Sequence, residues 1–386
     1  MSARAPATWR RCPIGQRFFA LWLPRAAAMC TQIAFKHQGR NTMKTHFIVA
    51  LSMITGIAAA ALFELRPNDA WANQVQKDDH ETTPIPMHVN TFIYWPPLAV
   101  AAELGYFADE GLDVKIDITP SSTVQMHGLA VGTWDIALTT FDDVIASSAD
   151  EGVSFKAFGY LNISNLQLVA RPEIPNVEAL RFHPLAVDAP NTGWAVVLRK
   201  MLLNYDMDLN RGDYTLVSAG GLATRIASMT QRQTFGTVWP PPVPANVAPL
   251  GFHTVAYQRD IVPNYPGNVM AARADRLEGQ SRDGMERFMS AWLRAAAYAS
   301  DPANRDATVG ILGHYGQTPL GAPSSIEGVT SNARPDHDHL IVPWNLRQEF
   351  GLAMPAGTVD NYFTTKLYDH VVHHSDDGGD PQVGQK

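Results

Sequence analysis

Cysteine is almost absent: the 386 residues hold two, Cys12 and Cys30, both within the first thirty positions. The rest of the chain can form no disulfide, thiolate metal site or cysteine nucleophile. No G-x-S-x-G elbow, P-loop or G-x-G-x-x-G turn occurs, which removes the usual signatures of serine hydrolases, nucleotide hydrolases and dinucleotide enzymes. There is no internal repeat. One long apolar run exists, from Phe47 to Phe63, and its 17 residues reach only the lower edge of a bilayer-spanning length.

That run follows Met43-Lys44 and precedes Ala70-Trp71-Ala72, the pattern of a secretory signal with a small-residue cleavage site. We therefore expect a signal peptide over 43–72, an over-extended gene start over 1–42 and a mobile polar leader over 73–85. One long targeting segment, or a membrane anchor, are the competing readings; with no cysteine after the run, a lipoprotein anchor is excluded. Residues 73–386 hold 21 basic against 35 acidic side chains, a net charge of −14. So acidic a surface argues against nucleic acid or an anionic membrane as a partner. The length admits about two domains.

Between Met87 and Ile116 the residues spell strand, helix and strand in thirty positions. Val89, Thr91 and Ile93 alternate as β-branched residues of a strand. Trp95-Pro96-Pro97 breaks it, with proline placed to open a helix. Leu98, Ala101, Ala102 and Leu104 form an apolar stripe closed by Gly105, and Val114, Ile116 and Ile118 start a second strand. A right-handed unit of this kind sets its first strand–helix junction at the carboxyl edge of a sheet, where open α/β folds hold ligands. Similar alternation continues to about Val238, which by itself supports only an α/β fold with a mostly parallel sheet.

This stretch resembles the solute-binding proteins of ABC importers, in the SsuA/THI5-like branch that includes nitrate, alkanesulfonate, taurine and thiamine-precursor binders. The resemblance rests on strand, aromatic-Pro, A-x-x-x-G-Y-F and E-G-L-D-V. It extends to Ala130–Ala137, which contains G-T-W-D-I-A, to Leu185-Ala186-Val187-Asp188 and to the amphipathic stretch Glu286–Tyr298. It implies an α/β, two-lobe periplasmic binding protein type II-like fold with two interdomain crossovers. We expect lobe I over 86–170 plus 267–368, lobe II over 176–262 and a disordered tail over 369–386. Arg171–Asn176 reads as the first crossover and Ile261–Tyr265 as the return. The implied function is capture of a small organic solute (aromatic, pyrimidine-like or sulfonate-type) for an inner-membrane ABC permease, by a monomeric periplasmic protein that is not an enzyme and carries no cofactor. A secreted enzyme of the same fold and a ligand-sensing module for a membrane receptor are the alternatives.

In such a fold, loops at the carboxyl ends of strands line the cleft. Lobe I then offers Trp95, Pro96, Ser121, Thr140, Phe141 and Asp142. Lobe II offers Asn191, Thr192, Gly193 and Trp239. Trp95 and Trp239 are placed to sandwich an unsaturated ligand, with core packing as the plainer role for each. Asn191-Thr192-Gly193 combines a helix cap, free N–H groups and a glycine that permits close approach. Asp142 reads either as a helix cap or as an acceptor for an amine. No Lys or Arg falls in these loops, and Arg199 and Arg225 lie inside helices, so no anion clamp is visible. The histidine clusters Asp336–His339 and His370–His374 have no third metal partner placed by spacing and are expected to be plain surface.

Overall fold

The computed structural model describes residues 83–241, 247–317 and 321–377. The gene-start, signal and most of the leader segments lie outside the described residues, as does the tail from 378. No helix among the described residues is long and apolar enough to cross a membrane.

The chain opens with β1 (Ile85–Thr91), α1 (Pro96–Glu103), α2 (Tyr106–Asp109), β2 (Leu112–Ile118), α3 (Ser122–Ala130), β3 (Ile136–Thr140), α4 (Phe141–Asp150) and β4 (Phe155–Tyr160). Next come β5 (Gln167–Ala170), β6 (Pro184–Val187), α5 (Gly193–Leu203), β7 (Thr215–Ser218), α6 (Leu222–Thr230), β8 (Gly236–Trp239) and β9 (His253–Tyr257). The chain then returns through β10 (Asn268–Arg273) into a helical third. That third comprises α7 (Arg282–Ser300), α8 (Arg305–His314), α9 (Gly321–Glu327), α10 (His337–Glu349) and α11 (Lys366–Asp377).

Lobe I is built on a five-stranded sheet in the order β2-β1-β3-β10-β4. β1 is parallel to β2 and β3, and β10 runs antiparallel between β3 and β4. One face carries Val89, Ile136, Leu138, Phe288 and Trp292 beneath α1 and α7; the other carries Ala137, Phe141, Ile145 and Trp344 beneath α3, α4 and α10. Each fully buried large apolar side chain contributes about 1.5–3 kcal/mol, enough to fix which face each strand presents.

Lobe II repeats the plan. β8-β5-β9 form one antiparallel group and β6-β7 a parallel pair. Phe235 N–H donates to Pro184 O (2.9 Å) and Thr237 Oγ1 to Ala186 O (2.7 Å), which seats β6 beside β8.

The first crossover differs from the sequence expectation. β5 pairs with β8 and β9, so the chain leaves lobe I between β4 and β5, through 161–166, and not at Arg171–Asn176. Arg171 is instead held inside lobe II, its Nη1 donating to Met229 O (2.6 Å) and its Nε to Glu173 (2.8 Å). The Pro-rich composition there makes a turn, which looks the same in sequence as a domain link. The return passes through 258–267, and the two crossovers bond to each other: Gly267 N–H to Asn162 O (2.8 Å), Ser164 N–H to Tyr265 O (3.2 Å) and Asn268 N–H to Asn162 Oδ1 (2.9 Å). Residues 369–377, expected to be disordered, instead continue α11 (Lys366–Asp377), and the rest of that expected tail lies outside the described residues.

Candidate functional site

The carboxyl ends of β1, β3 and β4 and the amino end of β10 face the corresponding edge of lobe II, and both crossovers leave from this side. Along it the lobes touch. Ser122 N–H donates to Asp188 Oδ2 (3.0 Å) and Gly221 N–H to Pro120 O (3.1 Å). Asn191 Nδ2 donates to Asp150 Oδ2 (3.3 Å). Gly193, at the start of α5, fits so tightly against lobe I that an added Cβ would lie 2.7 Å from Thr140 Oγ1 and 2.9 Å from Asp142 Cβ. Only hydrogen is small enough there.

An arginine closes the seam. Arg347 of α10 is fully buried and donates to Asp142 Oδ2 (2.8 Å), to Asn191 O (3.2 Å) and Oδ1 (3.0 Å), and to Ala353 O (3.0 Å). Its helix spans both lobes: Leu340 and Trp344 pack with α4 of lobe I, while Leu346 joins the lobe II core. A guanidinium presents donors in a rigid fork, which suits one side chain to gripping two partners.

The predicted site residues divide by this geometry. Asp142, Asn191, Thr192, Gly193, Thr140 and Ser121 lie along the seam. Thr140 caps α4, its Oγ1 accepting from Asp143 N–H (3.2 Å), and Ser121 caps α3 in the same way (3.3 Å). Asp142 is therefore not the cap; it sits in the first turn and is Arg347's partner. Thr192 makes no cap bond and donates to Ala189 O (2.8 Å).

Phe141 is a core residue, packed with Val144, Ile145 and Leu340, because the first turn of α4 rotates it away from the seam. Pro96 is buried at the start of α1. Trp95 is half-buried against the α1–α7 cluster, and Trp239 is fully buried against Val169, Met229, Val247 and Phe252. Each indole thus packs within its own lobe rather than forming the expected sandwich, though each leaves its Nε1 without a hydrogen-bond partner.

Reasoning from sequence missed Arg347, Asn90, Gln125, Asp143, Asp188 and Arg225. Asp188 had a signal, since it ends the L-A-V-D strand. Arg347 had none: it reaches the seam from a helix 205 positions after Asp142.

Burial dominates the electrostatics. It pushes the Asp142 carboxyl up to about 7 despite the opposing charge of Arg347. Asp143 is raised by burial first and then by Asp188, against hydrogen bonds from Thr139, Thr140 and Ser122. Arg225 is brought down to about 10 by burial, partly offset by Asp188, and so stays cationic at neutral pH. Tyr265, buried beside both aspartates, is raised well above its ordinary value, by burial first.

Polar atoms buried without partners gather at this edge. They include both amide atoms of Asn90, Gln125 Oε1, Asp142 Oδ1, Gln167 Nε2, Asp188 Oδ1, Arg225 Nε and Trp239 Nε1. Buried polar groups are rarely left unpaired in folded proteins. A separate open groove of about 480 Å³, lined by Val124, His127, Val131 and Trp134, lies on the outer side of α3. No group of three or more His, Cys, Asp or Glu able to hold a metal occurs among the described residues.

Two α/β lobes, two hydrogen-bonded crossovers and a polar seam between sheet edges define the periplasmic binding protein fold. The chain belongs to the NMT1/THI5-like family, whose model matches residues 93–304. Its structure is similar to the periplasmic nitrate-binding protein NrtA from Synechocystis PCC 6803 (TM-score 0.64, 14% identity, covering 75% of this chain and 89% of that one). It is likewise similar to the alkanesulfonate-binding protein SsuA from Xanthomonas axonopodis pv. citri bound to MOPS (0.63, 12%, 73% and 98%). A third similar structure is a mutant of DszB in complex with biphenyl-2-sulfinic acid (0.52, 13%, 75% and 99%). No curated protein matches the sequence.

Proposed function

We propose that this chain is the solute-binding component of an ABC importer, exported to the periplasm, where it captures a small organic molecule and hands it to a membrane permease without transforming it. The observation that carries the reading is the row of unpartnered buried polar atoms where the lobe edges meet. Such groups cost about 1–3 kcal/mol each when left unmet, so a solute that satisfies them stabilises the closed arrangement. Ligand contacts made only in that arrangement shift the population towards it. Asn191, Asp142, Gly193 and Thr140 are the expected residues of closure, and the unpartnered indole N–H groups of Trp95 and Trp239 are further donors a solute could meet. Family membership and the fold shared with nitrate- and sulfonate-binding proteins support the same reading.

The test is a thermal-shift screen of residues 73–386 against sulfonates, nitrate, pyrimidines, flavins, aromatic acids and amines, followed by mass analysis of each hit. Stabilisation that grows with concentration over the dissociation constant, with the compound recovered unchanged, supports the proposal. Recovery of a product would favour an enzyme, and no stabilisation by any class would count against solute binding.

A further inference from the structure

Resting on the reading of the two lobes as halves that part and close, we infer that the chain carries its own latch. Asp188 of lobe II caps helix α3 of lobe I across the mouth of the cleft and holds the lobes together before any solute arrives. Asp188 Oδ2 accepts from Ser122 N–H (3.0 Å), and beside it Gly221 N–H donates to Pro120 O (3.1 Å).

The latch sits far from the crossovers. In lobe I the chain leaves after β4 and returns into β10, while the loop bearing Pro120 and Ser122 follows β2, the opposite edge strand. β2 lies three to four strands from β10 and β4, about 14–19 Å at the usual spacing of neighbouring strands. In lobe II the crossovers join β5 and β9, whereas Asp188 and Gly221 follow β6 and β7. With β6 seated beside β8, that pair forms the edge farthest from β9. Another inter-lobe contact lies next to the return crossover: Tyr265 donates its hydroxyl to Gly193 O (3.4 Å), and Gly193 abuts Thr140. Rotation about the crossovers therefore separates Asp188 from Ser122 first and furthest.

Local structure explains why the contact forms. The first N–H groups of a helix have no partner within it. Ser121 Oγ takes that of Val124 (3.3 Å), which leaves Ser122 N–H to Asp188. The helix dipole favours a carboxylate at this end, and a hydrogen bond to a charged acceptor is stronger than a neutral one. Both sides are set in advance. Gly220 N–H donates to Asp188 O (3.2 Å) and Ala219 N–H to Val187 O (2.8 Å), so the two lobe II loops move as one piece. Across the mouth, Thr119 N–H donates to Thr91 O (2.9 Å) and Thr119 Oγ1 to Ser121 O (3.0 Å). The backbones meet closely: a Cβ on Gly221 would lie 3.3 Å from Pro120 O. Ser122 and Asp188 are both buried by the contact.

The latch changes what the solute has to do. A closed state that is populated beforehand lowers the conformational cost of capture. Opening of the mouth then becomes the step that admits and releases solute.

The test needs no solute. Nitroxide labels at Val131→Cys and Leu250→Cys, both exposed positions, report lobe separation in residues 73–386. Circular dichroism and melting temperature establish that each variant folds. Ser122→Pro deletes the donated hydrogen, and proline suits the first residue of a helix. Ser121 before it already has the extended backbone that proline demands (φ −163°, ψ 158°). Ser122→Ala keeps the N–H and loses only the hydroxyl. The free native chain should show a short-distance population. Ser122→Pro and Asp188→Ala should each lower its ratio to the long one about tenfold or more, the worth of a hydrogen bond to a charged group. The two together should do no more than either alone, and Ser122→Ala should leave the population in place. A native free chain found only at the long distance would overturn the latch. So would a short population kept in Ser122→Pro or in Asp188→Ala, one lost equally in Ser122→Ala, or additive losses in the double variant. If a compound still collapses the distribution after such a result, solute capture stands without the latch. If the substitutions abolish the short population in a chain that binds no compound, the latch stands and solute capture falls.

Discussion

Gly193 and Thr140 stand at the closest approach of the two lobes: a Cβ on Gly193 would lie 2.7 Å from Thr140 Oγ1. Gly193 opens α5 and Thr140 caps α4, so two helix starts meet at the seam. Gly193→Ala should leave each lobe folded but keep the lobes from seating. Overpacking of this kind costs about 1–3 kcal/mol, so solute affinity should fall roughly five- to a hundredfold. Calorimetry alongside circular dichroism separates that outcome from misfolding; unchanged affinity would mean that this contact is not part of closure.

Arg347 and Asp142 form a buried pair whose members are most costly when separated. Arg347→Met leaves Asp142 without its partner and should destabilise the chain by about 3–5 kcal/mol. Asp142→Asn combined with Arg347→Met should recover part of that loss, because no charge is then stranded. Chemical denaturation of the three variants measures the coupling. A double variant as unstable as the sum of the singles would show that the pair acts independently.

The pH dependence follows from the direction in which Asp142 moves. Its ordinary value is 3.8, and burial pushes it up to about 7. Between these values the folded chain binds more protons than the unfolded one, so stability falls as pH rises. The contribution from Asp142 is fully present below about 4 and is lost as pH passes through about 7. Melting temperatures between pH 5 and 8, taken as the difference between the native chain and Asp142→Asn, isolate this effect. The difference should shift in favour of Asp142→Asn as pH rises; a shift in the opposite direction would contradict burial as the dominant cause.

Gln258 locks the base of the hinge. Its Oε1 accepts from Leu166 N–H (3.2 Å) and its Nε2 donates to Val262 O (2.6 Å), tying the two crossovers from a fully buried position. Gln258→Leu strands a donor and an acceptor at about 1–3 kcal/mol each. Amide exchange should quicken in 161–166 and 258–267 before it does in β1 or β3. Uniform exchange across the chain would argue against a hinge at this place.

Much of the fold was legible because each lobe declares its strands locally. Alternation and apolar spacing mark a strand over 155–160 and a helix over 222–230, the residues of β4 and α6, and helices over 194–205 and 282–299, within a residue or two of α5 and α7. Alternation and capping are short-range properties, so one stretch of chain suffices to show them. Which sheet a strand joins is not short-range, and β5 was assigned to lobe I although it pairs with β8. β9 was missed: His253–Tyr257 mixes polar and apolar residues on an exposed edge.

The site was half legible for the same reason. Asn191, Gly193 and Asp142 sit where strand ends must place them. Arg347 and the Asn90–Gln125 pair depend on tertiary packing. Arg347 lies in a helix whose apolar residues serve two lobes at once, which blurs the single amphipathic stripe that would announce it. Trp95 and Trp239 show the converse: their sequence prominence reflects core packing as well as position.

Closure of two lobes over a solute is the claim on which the account depends. Because residues 73–386 contain no cysteine, nitroxide labels can be placed at Val131→Cys in lobe I and Leu250→Cys in lobe II, both exposed positions. Electron-spin distance measurement on this pair, with and without a stabilising solute, reads the lobe separation directly. The account predicts a broad or two-component distribution in the free chain that collapses to the shorter distance when solute is added. A single distance, unchanged by a compound that binds, would contradict it.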